Sequence, residues 1–119
     1  MAVIRSRRSR QPAPPWAVFE DLGNPHRQSA RPWLNLSDDE MAPEVIESDR
    51  PGRVVWSSLW RPWPNVRVEF DIAADGRGGT DLRWTLSADG APPDATEARA
   101  IGSRVDHLVN ANLRHTYGQ

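Results

Sequence analysis

The 119-residue sequence contains no cysteine and no lysine, and each absence excludes a class of chemistry. Without cysteine there is no disulfide, no thiolate metal site and no cysteine nucleophile. Without lysine there is no Schiff-base or Walker-type lysine, and all 15 basic residues are arginine. No stretch approaches the roughly 20 apolar residues of a membrane span, and no signal-peptide pattern is present. We therefore expect a cytoplasmic protein without an integral membrane segment.

Charge of one sign is also lacking, because 15 basic residues stand against 16 acidic ones. The formal net charge of -1 gives no global field that would attract nucleic acid, so we predict no nucleic-acid partner. The length favours one domain, residues 1–119, with a core of its own. Residues 2–10 carry four arginines, and we interpret them as an edge strand protected by charge.

The clearest positive signal is a period of two in residues 66–72 and 82–88, where apolar and polar side chains alternate. This alternation is typical of half-buried antiparallel strands. A connecting loop of three or five residues places Phe70 opposite Leu82, so that the two apolar faces coincide.

Residues 53–60 predict a third strand of the same sheet. A loop over 61–65 would place Trp56 opposite Phe70 and would leave Ser58 as a polar exception on the apolar face. The apolar face has these members: Val54, Trp56, Trp60, Val66, Val68, Phe70, Ile72, Leu82, Trp84 and Leu86. A face this aromatic must be covered by another element.

A long amphipathic helix over residues 94–117 is the predicted cover. Asp94 and Glu97 have the spacing of a capping box, and Gly118 supplies the stop. Gly102, in the interior, indicates a close approach to a strand or a bend. The apolar stripe consists of Ala98, Ile101, Val105, Leu108, Val109 and Leu113.

The register of a further strand, residues 44–49, stays open at this level. Arg50-Pro51-Gly52-Arg53 fits a type II turn into the next strand, although the loop can also be one residue longer. That choice decides whether Ile46 or the Val45 and Glu47 pair faces inward.

The order of elements resembles the START-like (SRPBCC) superfamily, which includes polyketide cyclase/dehydrase-like proteins. Four segments carry the resemblance: APPWAVFEDLGNP, ESDRPGRVVW, GGTDLRWTL and ANLRHTYGQ. It implies an α+β helix-grip fold, in which a curved antiparallel sheet wraps around a long C-terminal helix. It also implies a hydrophobic cavity between sheet and helix. Members of this superfamily bind lipids, sterols or polyketides, and some catalyse cyclisation or dehydration.

We therefore expect the binding of a small hydrophobic or aromatic ligand, lipid- or polyketide-like, in that cavity. Two alternatives stay open: a polyketide cyclase, aromatase or dehydratase, and a protein-interaction module without a cavity. No acid–base pair can be named, so no catalytic residue is predicted and enzymatic activity is left undecided. No cofactor is predicted, and His107 and His115 lack the spacing of a metal pair. A homodimer is also left open.

Nine residues of the sheet face and the helix are the predicted ligand contacts. They are Trp56, Ser58, Trp60, Phe70, Trp84, Ile101, Val105, Leu108 and Asn112. The tryptophans either line the cavity or pack in the core. On a helical wheel Asn112 lies in the middle of the apolar stripe, where a buried amide needs a partner. That partner is either a structural group or a ligand.

Overall fold

A computed structural model describes residues 2–26 and 32–118 of the chain. The elements in chain order are β1 (Ala2–Gln11), α1 (Pro15–Gly23), β2 (Val45–Asp49), β3 (Arg53–Trp56), β4 (Val66–Ala74) and β5 (Thr80–Ala88). The C-terminal helix follows as α2 (Ala95–Asp106), a π-helical segment (His107–Leu113) and α3 (Arg114–Thr116). Within the described ranges, five strands form one antiparallel sheet in the order β1-β5-β4-β3-β2.

Helix α1 and the C-terminal helix pack on the apolar face of the sheet, as the helix-grip prediction requires. The Trp56 indole N–H on β3 donates to the Leu22 carbonyl of α1 at 2.7 Å. The Trp84 indole N–H on β5 donates to Asp106 of α2 at 3.4 Å. The predicted α+β fold is therefore confirmed. None of the helices in the described ranges is long and apolar enough to cross a bilayer.

The β4–β5 hairpin has the predicted apolar face with a register that differs by two residues. Phe70 lies opposite Trp84 rather than Leu82, because the five-residue loop over 75–79 is centred on Arg77 and Ala74 pairs with Thr80. The predicted pairing requires a loop centred on Gly76. A shift of two residues returns every side chain to the same face, so the apolar pattern alone could not detect it.

The strand predicted over 53–60 ends earlier, at Trp56. Trp56 lies opposite Val68, not Phe70, which is again a shift of two residues. From Ser57 onward the chain no longer pairs with β4. The Ser57 backbone N–H instead donates to the Glu44 carbonyl at 2.8 Å.

Neither open register of β2 describes the strand fully, because a bulge lies between Val45 and Glu47. Val45 packs against the core, whereas Ile46 is 47% exposed. Glu47 lies 3.4 Å from Arg53, so the bulge turns both residues after Val45 away from the core. Asp49 pairs with Arg53, and the loop over 50–52 is the longer of the two alternatives.

The C-terminal helix begins and packs as predicted. Asp94 accepts a hydrogen bond from the Glu97 backbone N–H at 2.8 Å, which satisfies one of the free amides of the first turn. All members of the predicted apolar stripe are buried. Gly102 lies against β1, since a Cβ at this position would be 2.8 Å from Cδ of Arg5. The close approach suggested by this glycine is confirmed.

Strand β1 is an edge strand, and polar side chains on its inner face meet the flank of the C-terminal helix. Arg7 donates to Asp106 at 2.7 Å, and Gln11 Nε2 donates to the Val109 carbonyl at 3.1 Å. Ser9 donates to Asn110 at 2.5 Å. The sequence interpretation gave the arginines the role of protecting the sheet edge, whereas Arg7 also bonds this edge to the C-terminal helix.

Candidate functional site

Eight of the nine predicted contacts lie in the interior of the fold and are at most 6% exposed. They are Trp56, Ser58, Trp60, Phe70, Trp84, Ile101, Val105 and Leu108. Trp56 stacks on Trp33 with ring centroids 5.9 Å apart, and it meets Phe70 edge-on at 4.7 Å. Apart from Ser58 they belong to one packed core, so a ligand would reach most of them only by displacing packed groups. Trp84 also borders a small pocket between β1 and α2.

Ser58 and Trp60 lie outside the sheet in a tight turn. The Ser58 hydroxyl accepts from the Trp60 backbone N–H at 3.0 Å and donates to the Trp60 carbonyl at 3.1 Å. Trp60 forms an isolated bridge with Glu40. The expectation that Ser58 is a polar group on the sheet face is wrong, because strand β3 has already ended before this residue.

Asn112 is half-buried, and the expectation that it lies in the middle of the buried stripe is wrong. The cause is the π-helical segment His107–Leu113, where hydrogen bonds span five residues instead of four. The wider turn brings Leu113 into the core at the position that a regular helix would give to Asn112. Asn112 is thereby turned toward the end of the fold.

There Asn112 lines an open groove of about 680 Å³, which we call the end groove. Its described lining residues are Pro32, Asn35, Ala111, Asn112, His115, Thr116 and Gly118. Within the described part of the chain, the Asn112 side-chain amide makes no hydrogen bond. One wall is the C-terminal helix, and the other is the irregular segment that contains Asn35. The volume is within the range of roughly 300–1,000 Å³ usual for ligand sites.

The described lining of the end groove contains no Arg, Asp or Glu and offers hydrogen bonds. Asn35 and Asn112 each carry an amide that donates and accepts. Thr116 donates its hydroxyl hydrogen to the Leu113 carbonyl at 2.6 Å. His115 is the one titratable side chain among the lining residues named above. The arrangement suits an uncharged molecule with a polar group better than an ion.

An ion pair between a buried carboxylate and a partly exposed arginine lies beside the end groove. Glu40, with a side chain only 4% exposed, accepts from Arg104 Nε and Nη2 at 3.0–3.1 Å. It also accepts from the Ser37 backbone N–H at 2.8 Å. Burial alone would raise the pKa of Glu40, but the hydrogen bonds of Arg104 and Ser37 and the charge of Arg104 outweigh it. The pKa of Glu40 therefore lies below its ordinary value of 4.5.

Sequence reasoning missed Asn35 and His115, which line the end groove with Asn112, and Arg104, which donates to the Asn35 carbonyl. His115 was considered as half of a metal pair with His107, and Arg104 lies off the apolar stripe. Asn35 is 77 positions from Asn112, and no local pattern signals a contact over that distance. Across residues 2–26 and 32–118, no group of three His, Asp or Glu side chains is arranged to hold a metal ion.

Comparisons with known proteins give the fold and no activity. No family model and no curated protein matches the chain. Among solved structures, CalU16 from Micromonospora echinospora is 18% identical, with 88% of this chain and 70% of that one covered and a TM-score of 0.65. The AHSA1-like protein RHE_CH02687 from Rhizobium etli is 21% identical, with 89% and 76% covered and a TM-score of 0.60.

A third similar structure is PFC0360w from Plasmodium falciparum, described as an HSP90 activator. It is 16% identical, with 92% of this chain and 89% of that one covered and a TM-score of 0.57. CalU16 and the Aha1-like proteins have the SRPBCC helix-grip fold. The helix-grip fold that the START-like resemblance implied is thus confirmed, and these structures show the fold alone.

Proposed function

We propose that this protein is a binding module for a small, mostly apolar and uncharged molecule, which the end groove holds through Asn112. The observation that carries the proposal is the half-buried Asn112 amide, which lines the groove without a hydrogen bond inside the described protein. A hydrogen bond to a polar group that is partly removed from water lowers the free energy, and a ligand can supply the partner.

Because the described lining residues include no Arg, Asp or Glu, the favoured ligands have a hydroxyl or carbonyl group on an apolar body, such as hydroxylated aromatics. Such a ligand is consistent with the lipid- or polyketide-like class expected from the sequence. The interior residues, with Trp56 and Phe70 at their centre, then support the groove by holding sheet and helix together. Among the described lining residues only His115 is titratable, and we assign no catalytic role.

The neutral fluorophore 2-naphthol is a suitable probe, because it combines an aromatic body with one hydroxyl group. We expect its titration, followed by 1H–15N NMR, to shift the resonances of Asn35, Asn112 and His115. Asn112→Leu should leave the fold intact and weaken binding about tenfold, as expected for one lost hydrogen bond.

Asn65→Ala is the matched control, because Asn65 bonds to Asp89 and Ala91 in another loop. It should bind 2-naphthol with the wild-type affinity. Equal affinity of wild type and Asn112→Leu would remove Asn112 from the site. Native mass spectrometry of the purified protein adds a test that does not depend on the chosen probe, since a bound apolar molecule would appear as added mass.

A protein-interaction module is the second candidate, and the closely packed interior favours it. Trp56, Phe70 and Trp84 are at most 2% exposed, so they support a filled core as well as they support a binding protein. One similar structure is described as an HSP90 activator, which acts on another protein. This candidate gains support if no small molecule co-purifies and 2-naphthol shifts no groove resonance.

A further inference from the structure

We infer that the Glu40–Arg104 ion pair positions the wall of the end groove that faces Asn112, an inference that rests on the proposed function. Arg104 bonds to Glu40 and also to the wall itself. Its guanidinium grips the Glu40 carboxylate through Nε and Nη2, and Nη2 also donates to the Asn35 carbonyl. Asn35 belongs to the groove lining, so one arginine ties the groove wall to the helix that carries Asn112.

The wall is held by core packing of Trp33, Leu34 and Leu36, and the polar contacts of Arg104 add to that packing. Residues 32–39 belong to no helix or strand. Beyond residue 39, the backbone is attached to the rest of the fold by the Glu40–Trp60 bridge and by the Met41 N–H, which donates to the Leu59 carbonyl at 2.8 Å. At the Asn35 end, the Arg104 contact to the Asn35 carbonyl joins the wall to the helix.

Spacing along the helix makes this attachment relevant to the site. Arg104 precedes Asn112 by eight residues, or about 12 Å of helix at roughly 1.5 Å per residue. The wall therefore lies along the same helix that presents the amide. Moving Arg104 or Glu40 would change the separation of Asn35 and Asn112, which are the two amides of the groove. A ligand that contacts both amides depends on that separation.

The geometry of the pair is specific to arginine. A planar guanidinium can serve the Glu40 carboxylate and the Asn35 carbonyl at once, whereas a lysine ammonium on a flexible stem cannot reproduce this fork. Arg104→Lys keeps the positive charge beside the buried Glu40 and so avoids an unpaired buried carboxylate. Arg104→Lys therefore tests whether the position of the wall depends on the guanidinium geometry or only on the positive charge.

The experiment measures 2-naphthol affinity and side-chain amide resonances in wild type and Arg104→Lys. We expect the affinity to fall about fivefold or more. We also expect the Asn35 and Asn112 resonances of the ligand-free protein to shift. Glu40→Gln is the second variant, for use if Arg104→Lys does not fold, and it should move the same resonances. Arg8→Gln is the matched control, because it breaks the exposed Arg8–Asp81 pair on β1 and β5 and should change neither readout.

The outcomes distinguish this inference from the proposed function. Unshifted Asn35 and Asn112 resonances in Arg104→Lys would overturn the inference, as would wild-type affinity despite shifted resonances. If wild type itself does not bind 2-naphthol, the proposed function fails for this ligand class. The ligand-free resonances then decide whether the ion pair positions the wall.

Discussion

Truncating Phe70 to alanine tests whether the interior between sheet and helix is filled or hollow. Phe70 is fully buried and meets Trp56 edge-on at 4.7 Å between ring centroids. Removing a phenylalanine from a packed core costs about 3–5 kcal/mol, because the transfer free energy is lost and a cavity remains. The aromatic pair itself is worth about 0.5–1.5 kcal/mol beyond its buried area, which favours the upper half of that range.

The assay is equilibrium unfolding in urea with tryptophan fluorescence, together with a thermal melt. For a chain of this size the expected loss corresponds to a fall in Tm of roughly 10–20 °C. Val3→Ala is the control, since Val3 is 67% exposed and its truncation should cost about 0.5 kcal/mol or less. A loss below about 1.5 kcal/mol for Phe70→Ala would show that the ring borders empty space, and the filled-core interpretation would then be wrong.

Three further predictions concern stability. The native pKa of Glu40 lies below its ordinary value, so its carboxylate stabilises the fold at neutral pH. That contribution should be lost as the pH falls below about 5 and on through the native pKa. In a pH series of thermal melts, Glu40→Gln should lack this part of the dependence of stability on pH. Asp94→Ala removes the N-cap of α2 and should cost about 1 kcal/mol in urea unfolding, whereas Asp94→Ser should restore most of it. Gly102→Ala should be neutral or stabilise the fold by up to about 1 kcal/mol, because alanine has the higher helix propensity. The Arg5 atoms that a Cβ would meet belong to a flexible, exposed side chain that can move aside. A clear fall of Tm in thermal melts would mean that Arg5 cannot move.

Local patterns were sufficient for the elements whose two faces differ in polarity. The alternation in β4 and β5 predicted which side chains are buried, and the Asp94–Glu97 spacing predicted the start of the C-terminal helix. These features depend on the periods of strand and helix and on a cap three residues away, so a short window of sequence contains them. The START-like fold could be inferred from the order of these elements.

The candidate site was only partly predictable. Asn112 was identified as the polar residue to watch, but its position was derived from a regular helical period. The π-helical segment that contains Asn112 adds one residue to the turn. The hydrophobic pattern does not reveal this segment, because Leu113 satisfies the pattern equally well. The bulge in β2 was not predicted for the same reason. One inserted residue reverses the side-chain alternation after it.

By itself the sequence determined the apolar face of the sheet, the stripe of the C-terminal helix and the pairing of these two surfaces. Each is a periodic property of consecutive residues, and burial of apolar area enforces it in any register that preserves parity. The tertiary structure decided the two-residue register shifts, the outward turn of Asn112 and the contact between Glu40 and Arg104, which are 64 positions apart. These depend on loop lengths and on which distant side chains meet, because a polar partner is chosen by geometry in the folded chain and not by its neighbours in sequence.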